Sequence, residues 1–299
     1  MQNAHMKPHP DFVVEPFFHT LTCAYAFLGY DRAARQGVVI DPVLDFDRRS
    51  GRISTEAADA IVQRVRELGL RVDWVLETHA HADHLSAAAY IKEQLGCGIA
   101  TGAGVRTVQA GAAKVFQLDG FATDGSQFDR LWRDGDRFDI GNVPGRVLAT
   151  PGHTPDSVTY LIADCAFVGD TLFLPDVGTA RCDFPGASAA ELYSSVQTLY
   201  NLPDSTRIMV GHDYPPNKRE PVHVSALLEE KRSNVHLSAA TGRDEFVAFR
   251  EGRDRTLALP ELFFFALQTN IRGGRMPPAA RDGTRCFHVP LSLPRDWPA

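Results

Sequence analysis

The chain has 299 residues, 44% of them hydrophobic and 23% charged, an ordinary balance for a globular protein that buries a full core. A formal net charge of −6 argues against non-specific binding of nucleic acid, which needs a basic footprint. No apolar run reaches the roughly 18 residues of a membrane span, so no membrane partner is expected. The five cysteines (Cys23, Cys97, Cys165, Cys182 and Cys286) form no CxxC pair, which favours reduced thiols over a disulfide scaffold. Cys23, Cys97 and Cys165 lie in apolar contexts and read as small core residues, and Cys182 as a small buried one. Residues Met1 to Pro10 contain no hydrophobic signal core, which leaves a cytoplasmic location as the expectation.

Phe12-Val13-Val14 and Thr22 to Leu28 read as the first strands, and Gly37 to Val43 as a strand halted at Asp41-Pro42. Thr55-Glu56 opens a helix to about Leu68, with Ala57, Ile61, Val65 and Leu68 at helical spacing and Gly69 as its stop. Val72 to Leu76 is a strand, and Leu85 to Leu95 a helix closed by Gly96. Then follow a short strand at Gly98-Ile99-Ala100, a helix over Thr101 to Gly111, a loop over Phe121 to Phe128 and a hairpin over Trp132 to Phe138. Arg146 to Ala149 is a strand; Val158 to Ile162 and Cys165 to Val168 form a hairpin through Ala163-Asp164. Ser188 to Leu199 is an amphipathic helix and Arg207 to Val210 a strand. Helices follow over about Val222 to Val235 and Glu245 to Leu257. The apolar run Leu262 to Leu267 reads as core or as a subunit contact, and carries the expectation of a homodimer.

The most informative segment is Thr78-His79-Ala80-His81-Ala82-Asp83-His84. It places three imidazoles and a carboxylate directly after the apolar run Trp74-Val75-Leu76. Imidazole nitrogen and carboxylate oxygen suit zinc, iron and manganese. Three later stations repeat the pattern of a His or Asp beside Gly at the end of a strand: Gly152-His153, Gly169-Asp170 and Gly211-His212. Glycine allows a tight turn that brings a ligand close to an ion. One such pair is weak support for a metal site; four in order are strong.

These residues resemble the metallo-β-lactamase superfamily over most of residues 12 to 215. The resemblance implies an α/β fold, the αββα four-layer sandwich, with a helical C-terminal extension over about 216 to 299, all as a single domain. The superfamily hosts hydrolases, oxidoreductases and nucleases, so the fold alone does not name a reaction.

Two branches fit the ligand set. One is a dinuclear zinc hydrolase of glutathione thioesters, similar to glyoxalase II. It would use His79, His81, His153 and Asp170 for one ion, and Asp83, His84, His212 and the shared Asp170 for the other. The second is the bacterial type of persulfide dioxygenase (sulfur dioxygenase). There one Fe(II) would be held by His79, His153 and Asp170, with His81, Asp83, His84 and His212 around them and zinc as a substitute metal. The flanks favour the dioxygenase: Glu77 to Ala88, Phe167 to Phe173, Ser126-Gln127-Phe128-Asp129, Gly211-His212-Asp213-Tyr214 and above all Arg181-Cys182-Asp183-Phe184-Pro185-Gly186 resemble that branch. The implied reaction oxidises glutathione persulfide with O2 to sulfite and glutathione. Arg181 and Tyr214 match positions expected to contact glutathione, and Lys218 and Arg219 are candidate carboxylate anchors. Asp183 is expected to brace Arg181 or a ligand histidine.

Overall fold

The structure is a computed structural model and describes residues 8–292. Strand Ala24–Asp31 explains the layering. It is buried along its whole length, so both faces must be covered. Tyr25 and Phe27 point into one apolar layer and Ala26, Leu28 and Tyr30 into another, the period-two alternation of a strand.

Two six-stranded mixed sheets face each other. The first runs in the order Phe12–His19, Ala24–Asp31, Gln36–Ile40, Arg71–Leu76, Gly98–Gly102 and Arg130–Trp132. The second runs Arg137–Ile140, Val143–Ala149, Val158–Ile162, Cys165–Gly169, Arg207–Val210 and Val224–Ala226. Val38, Ile40, Val147, Tyr160 and Phe167 fill the layer between them. Helices Glu56–Glu67 and Ala88–Leu95 cover the first sheet through Ile61, Val65, Ala88 and Ile91. Helices Ala189–Tyr200 and Arg243–Asp254 cover the second through Leu192, Val196, Leu199 and Phe246. Each such aliphatic or aromatic side chain contributes about 1.5–3 kcal/mol on burial. This is the expected αββα sandwich. Its C-terminal extension packs back on it, with Phe263 stacked on Phe184 and Phe265 against Phe46. The aromatic run is therefore packed within the chain. No helix among the described residues is long and apolar enough to cross a membrane.

Several local expectations change. The Gly37-to-Val43 strand breaks at Asp41, whose φ of 48° is left-handed, and Val43–Asp47 joins a separate small sheet. Leu85–Ser86 pairs with Val43 and Leu44 in that sheet, so the following helix starts only at Ala88. The strand at Gly98 runs on to Gly102, which delays the next helix to Val105–Phe116. Trp132 and Phe138 do not form a hairpin. Trp132 pairs in parallel with Gly102 and Phe138 antiparallel with Gly145, in opposite sheets. Their rings meet across the core at 5.4 Å, because strand partners outside the turn decide the pairing. Val224–Ala226 is an edge strand, and only Leu227–Ser233 of that segment is helical. Cys97 and Cys165 are buried as expected, whereas Cys23 and Cys182 are half-buried.

Candidate metal centre

All four ligand stations follow a strand at one edge of the sandwich, where the sheets meet through Tyr25 N–H donating to Gly211 O at 2.8 Å. The His79–His84 loop is held from several directions. Thr78 O accepts from Val158 N at 2.9 Å, and Ala80 N donates to Asp156 Oδ2 at 2.8 Å. The Asn270 side-chain amide donates to His81 O and His84 O, both at 2.8 Å, and its Oδ1 accepts from Ser86 N at 2.8 Å. At Gly169 the φ is +51° and an added Cβ would collide with the Thr78 hydroxyl, so only glycine lets the Asp170 loop pass the histidine loop.

His79, His153 and Asp170 offer ligand atoms that all lie within 4.8 Å of one another. Asp170 Oδ2 is 3.5 Å from His153 Nε2 and 3.9 Å from His79 Nε2. Both imidazoles are held with Nε2 free. His153 Nδ1–H donates to Arg181 O at 2.7 Å, a carbonyl that can only accept. Thr78 Oγ1–H donates to Asp41 Oδ2 at 2.8 Å, so the same oxygen accepts from His79 Nδ1–H at 3.0 Å. A second hydrogen bond of this kind fixes the tautomer of a metal-binding histidine. His79 Nε2 and Asp170 Oδ1 are buried without a partner, as are both ring nitrogens of His81, His212 Nε2 and Asp83 Oδ2. Buried polar atoms left unpaired are costly unless something binds them. Orphaned, converging lone pairs on nitrogen and oxygen are what a divalent cation requires, so the donor set fits a metal. Burial and the neighbouring His81, His153 and His212 push the His79 imidazole well below its ordinary pKa, which keeps it neutral.

His81, Asp83, His84 and His212 form a second group within the same span of 4.8 Å. His212 Nε2 is 3.2 Å from Asp83 Oδ2 and 3.6 Å from Asp170 Oδ1. His81 is shared with a third group. Its Nε2 lies 3.1 Å from Asp41 Oδ1 and 3.6 Å from Glu77 Oε2, all of them buried. Burial disfavours the His81 cation, but the nearby Asp41, Glu77 and Asp83 carboxylates outweigh this and raise the pKa to about 10. Burial, with Asp41 adding repulsion, raises the Glu77 carboxyl to about 8. Sequence reading missed both of these acids as parts of the site. Their one local signal is position: Asp41 ends an apolar strand, and Glu77 precedes the histidine cluster.

A cavity of about 400 Å³ opens beside the first group, lined by His153, Asp170, Asp83 and the Asp176–Phe184 loop. Tyr214 lines it, 47% exposed and stacked on His212 at 5.5 Å. Arg181 also lines it, and its guanidinium is braced by Asp183 through two bonds of 2.6 Å, as expected, and by Ala258 O at 2.6 Å. Lys218 and Arg219 do not line the cavity. Arg219 is taken up by Asp176 and Asp213 in four bonds of 2.6–2.9 Å, which corrects the view of it as a free anchor. The cavity's uncommitted cation is Arg253, exposed and without an ion-pair partner among the described residues. It sits near His236, whose Nδ1 accepts from Thr179 N at 2.9 Å.

The metallo-beta-lactamase superfamily description matches residues 32–212. A "Beta-lactamase hydrolase-like protein" of Xylella fastidiosa is 47% identical over 93% of this chain, which spans only 64% of that relative's length. The human "Persulfide dioxygenase ETHE1, mitochondrial" is 32% identical over 90% of this chain and 91% of its own. The crystal structure of ETHE1 from Myxococcus xanthus superposes with a TM-score of 0.71 at 32% identity, covering 88% of this chain and all of that one.

Proposed function

Since the chain belongs to the metallo-beta-lactamase superfamily, we propose that it is a mononuclear non-haem Fe(II) dioxygenase of glutathione persulfide. The overall reaction takes GSSH, O2 and H2O to glutathione, sulfite and two protons. The sulfane sulfur loses four electrons and dioxygen accepts them. The observation that carries this reading is that His79, His153 and Asp170 converge as one ligand group while His81 falls in another. That first group offers two imidazoles and one carboxylate, the facial triad of non-haem iron oxygenases. Iron held there would supply the redox chemistry that zinc lacks. The human persulfide dioxygenase and the Myxococcus structure support the same branch.

The remaining residues have roles in binding and orientation. Arg181 O and Thr78 Oγ1 hold the two imidazole tautomers. The cavity beside Asp170 receives the anionic persulfide, with Tyr214 and the Asp183-braced Arg181 at its wall and Arg253 facing a carboxylate of glutathione. His81, Asp83, His84 and His212 surround the triad and orient water and ligands.

One observation favours a second reading. His212 Nε2 stands 3.6 Å from Asp170 Oδ1, so the second group could hold another ion in a dinuclear hydrolase. The relative from Xylella carries a hydrolase-like name. The deciding experiment measures oxygen uptake and sulfite with glutathione persulfide, on protein loaded anaerobically with Fe(II) and its metals quantified. Uptake at one iron per chain supports the dioxygenase. Two zinc ions per chain, acylglutathione hydrolysis and no oxygen uptake would establish the hydrolase.

A further inference from the structure

A second, smaller cavity of about 40 Å³ lies behind the histidine loop. Its walls are Ala80, Ala82, Ala112, Phe184, Phe263 and Leu267, with Val108, Val115 and Gly111 toward the surface. Thr154 contributes the one side-chain hydroxyl of the lining, and it is paired with Ser157 Oγ at 2.7 Å. None of the lining side chains carries an unpartnered buried polar atom. Such a space offers water nothing to bond and stays dry, while it accepts small apolar molecules such as xenon.

Its position is the reason to assign it a role. Ala82 and Phe184 line both this cavity and the larger one at the metal centre, which carries charged side chains. Phe184 stands edge-on to His153 at 5.4 Å, so a single aromatic ring separates the apolar space from a triad residue. At the outer end Val115 is 42% exposed. The cavity thus runs from near the surface of helix Val105–Phe116 to the back of the ligand loop.

We propose that this cavity is the entry and holding site for molecular oxygen, the apolar co-substrate, separate from the larger, charge-bearing cavity that admits the persulfide. The inference rests on the dioxygenase reading. Dioxygen is small, uncharged and a poor hydrogen-bond acceptor, so it partitions into an apolar wall that glutathione is too large and too polar to enter. Helix Val105–Phe116, Phe263 and the Arg181–Phe184 loop form this route together, and no one of them carries a ligand of the triad.

The test fills the cavity. Gly111 lies in a helix, and an added Cβ meets only Pro185 Cβ, at 4.0 Å, so a larger side chain has room to enter the space. Gly111→Leu should raise KM for O2 by about threefold or more, with kcat at saturating O2, KM for glutathione persulfide and iron content unchanged. Gly111→Ala, which adds a Cβ without filling the cavity, should behave as wild type. Val115→Phe at the exposed mouth gives the same readout should the leucine variant fail to fold. Crystals pressurised with xenon should show the gas beside Phe184 in wild type and none in Gly111→Leu. Active enzyme whose KM for O2 is the same in wild type and filled variants, or a cavity that takes no xenon, overturns the assignment. A wild type that consumes no oxygen at all overturns the dioxygenase reading, and this site with it.

Discussion

The side-chain amide of Asn270 donates to the backbone carbonyl of His84 at 2.8 Å, from 186 positions further along the chain. The same amide reaches His81 O, and its oxygen takes the Ser86 amide. One buried side chain of the C-terminal extension therefore closes the metal loop. Asn270→Ala leaves two carbonyls and an amide unpaired, a loss of about 1–3 kcal/mol of stability. With the loop loosened, metal affinity should fall about tenfold or more. A competitive chelator titration against wild type checks this; unchanged affinity would mean the clamp is redundant.

His79→Ala, His153→Ala and Asp170→Ala should each lose iron and oxygen uptake together. His84→Ala should keep about one iron per chain and turn over more slowly, since His84 lies in the second group. Metal analysis beside the oxygen electrode separates the cases. Loss of all metal in His84→Ala would favour the dinuclear centre.

Arg219 and Arg253 should part company under mutation. Asp213 is fully buried and held by Arg219, so Arg219→Ala strands a carboxylate and should cost about 3–5 kcal/mol in urea unfolding. Arg253 has no ion-pair partner among the described residues and lines the cavity. Arg253→Ala should leave stability and iron content alone and raise KM for glutathione persulfide about tenfold, the loss of one charge-assisted contact. A KM unmoved in Arg253→Ala would remove this residue from the substrate site.

His236 makes stability depend on pH. Burial and the nearby Arg250 and Arg253 lower its pKa from 6.5 to about 4. Below about pH 6.5 the unfolded chain takes a proton that the folded chain refuses, so stability drops until the folded pKa near 4 is passed. Partial exposure of the ring limits the effect to about 1–2 kcal/mol after solvent screening. Urea titrations at pH 7 and pH 4.5 should show wild type losing this much more than His236→Gln. Equal losses would mean that the ring titrates normally.

Much of the site was legible because its signals are local. A histidine or aspartate beside glycine at a strand end reads the same in sequence and in structure, and all four stations arrive at one edge. The strand read over Thr22 to Leu28, found at Ala24–Asp31, and the two-residue turn at Ala163-Asp164 are local in the same way. Other features were not legible. Nothing near Asn270 in sequence marks it as a clamp, and Arg219 looks as free as Arg253 until Asp176 and Asp213 are brought beside it.

The sequence by itself determined the kinds of donor atoms, their order and the strands that carry them, since these depend on neighbouring residues and backbone preference. Tertiary structure alone decided which lone pairs stay free. Arg219 is held by Asp176, His153 is held by Arg181 O, and Trp132 and Phe138 part into facing sheets. The physical reason is competition. A buried imidazole, guanidinium or strand edge takes the partner that satisfies it at the least desolvation cost, and those partners come from segments tens to hundreds of positions away.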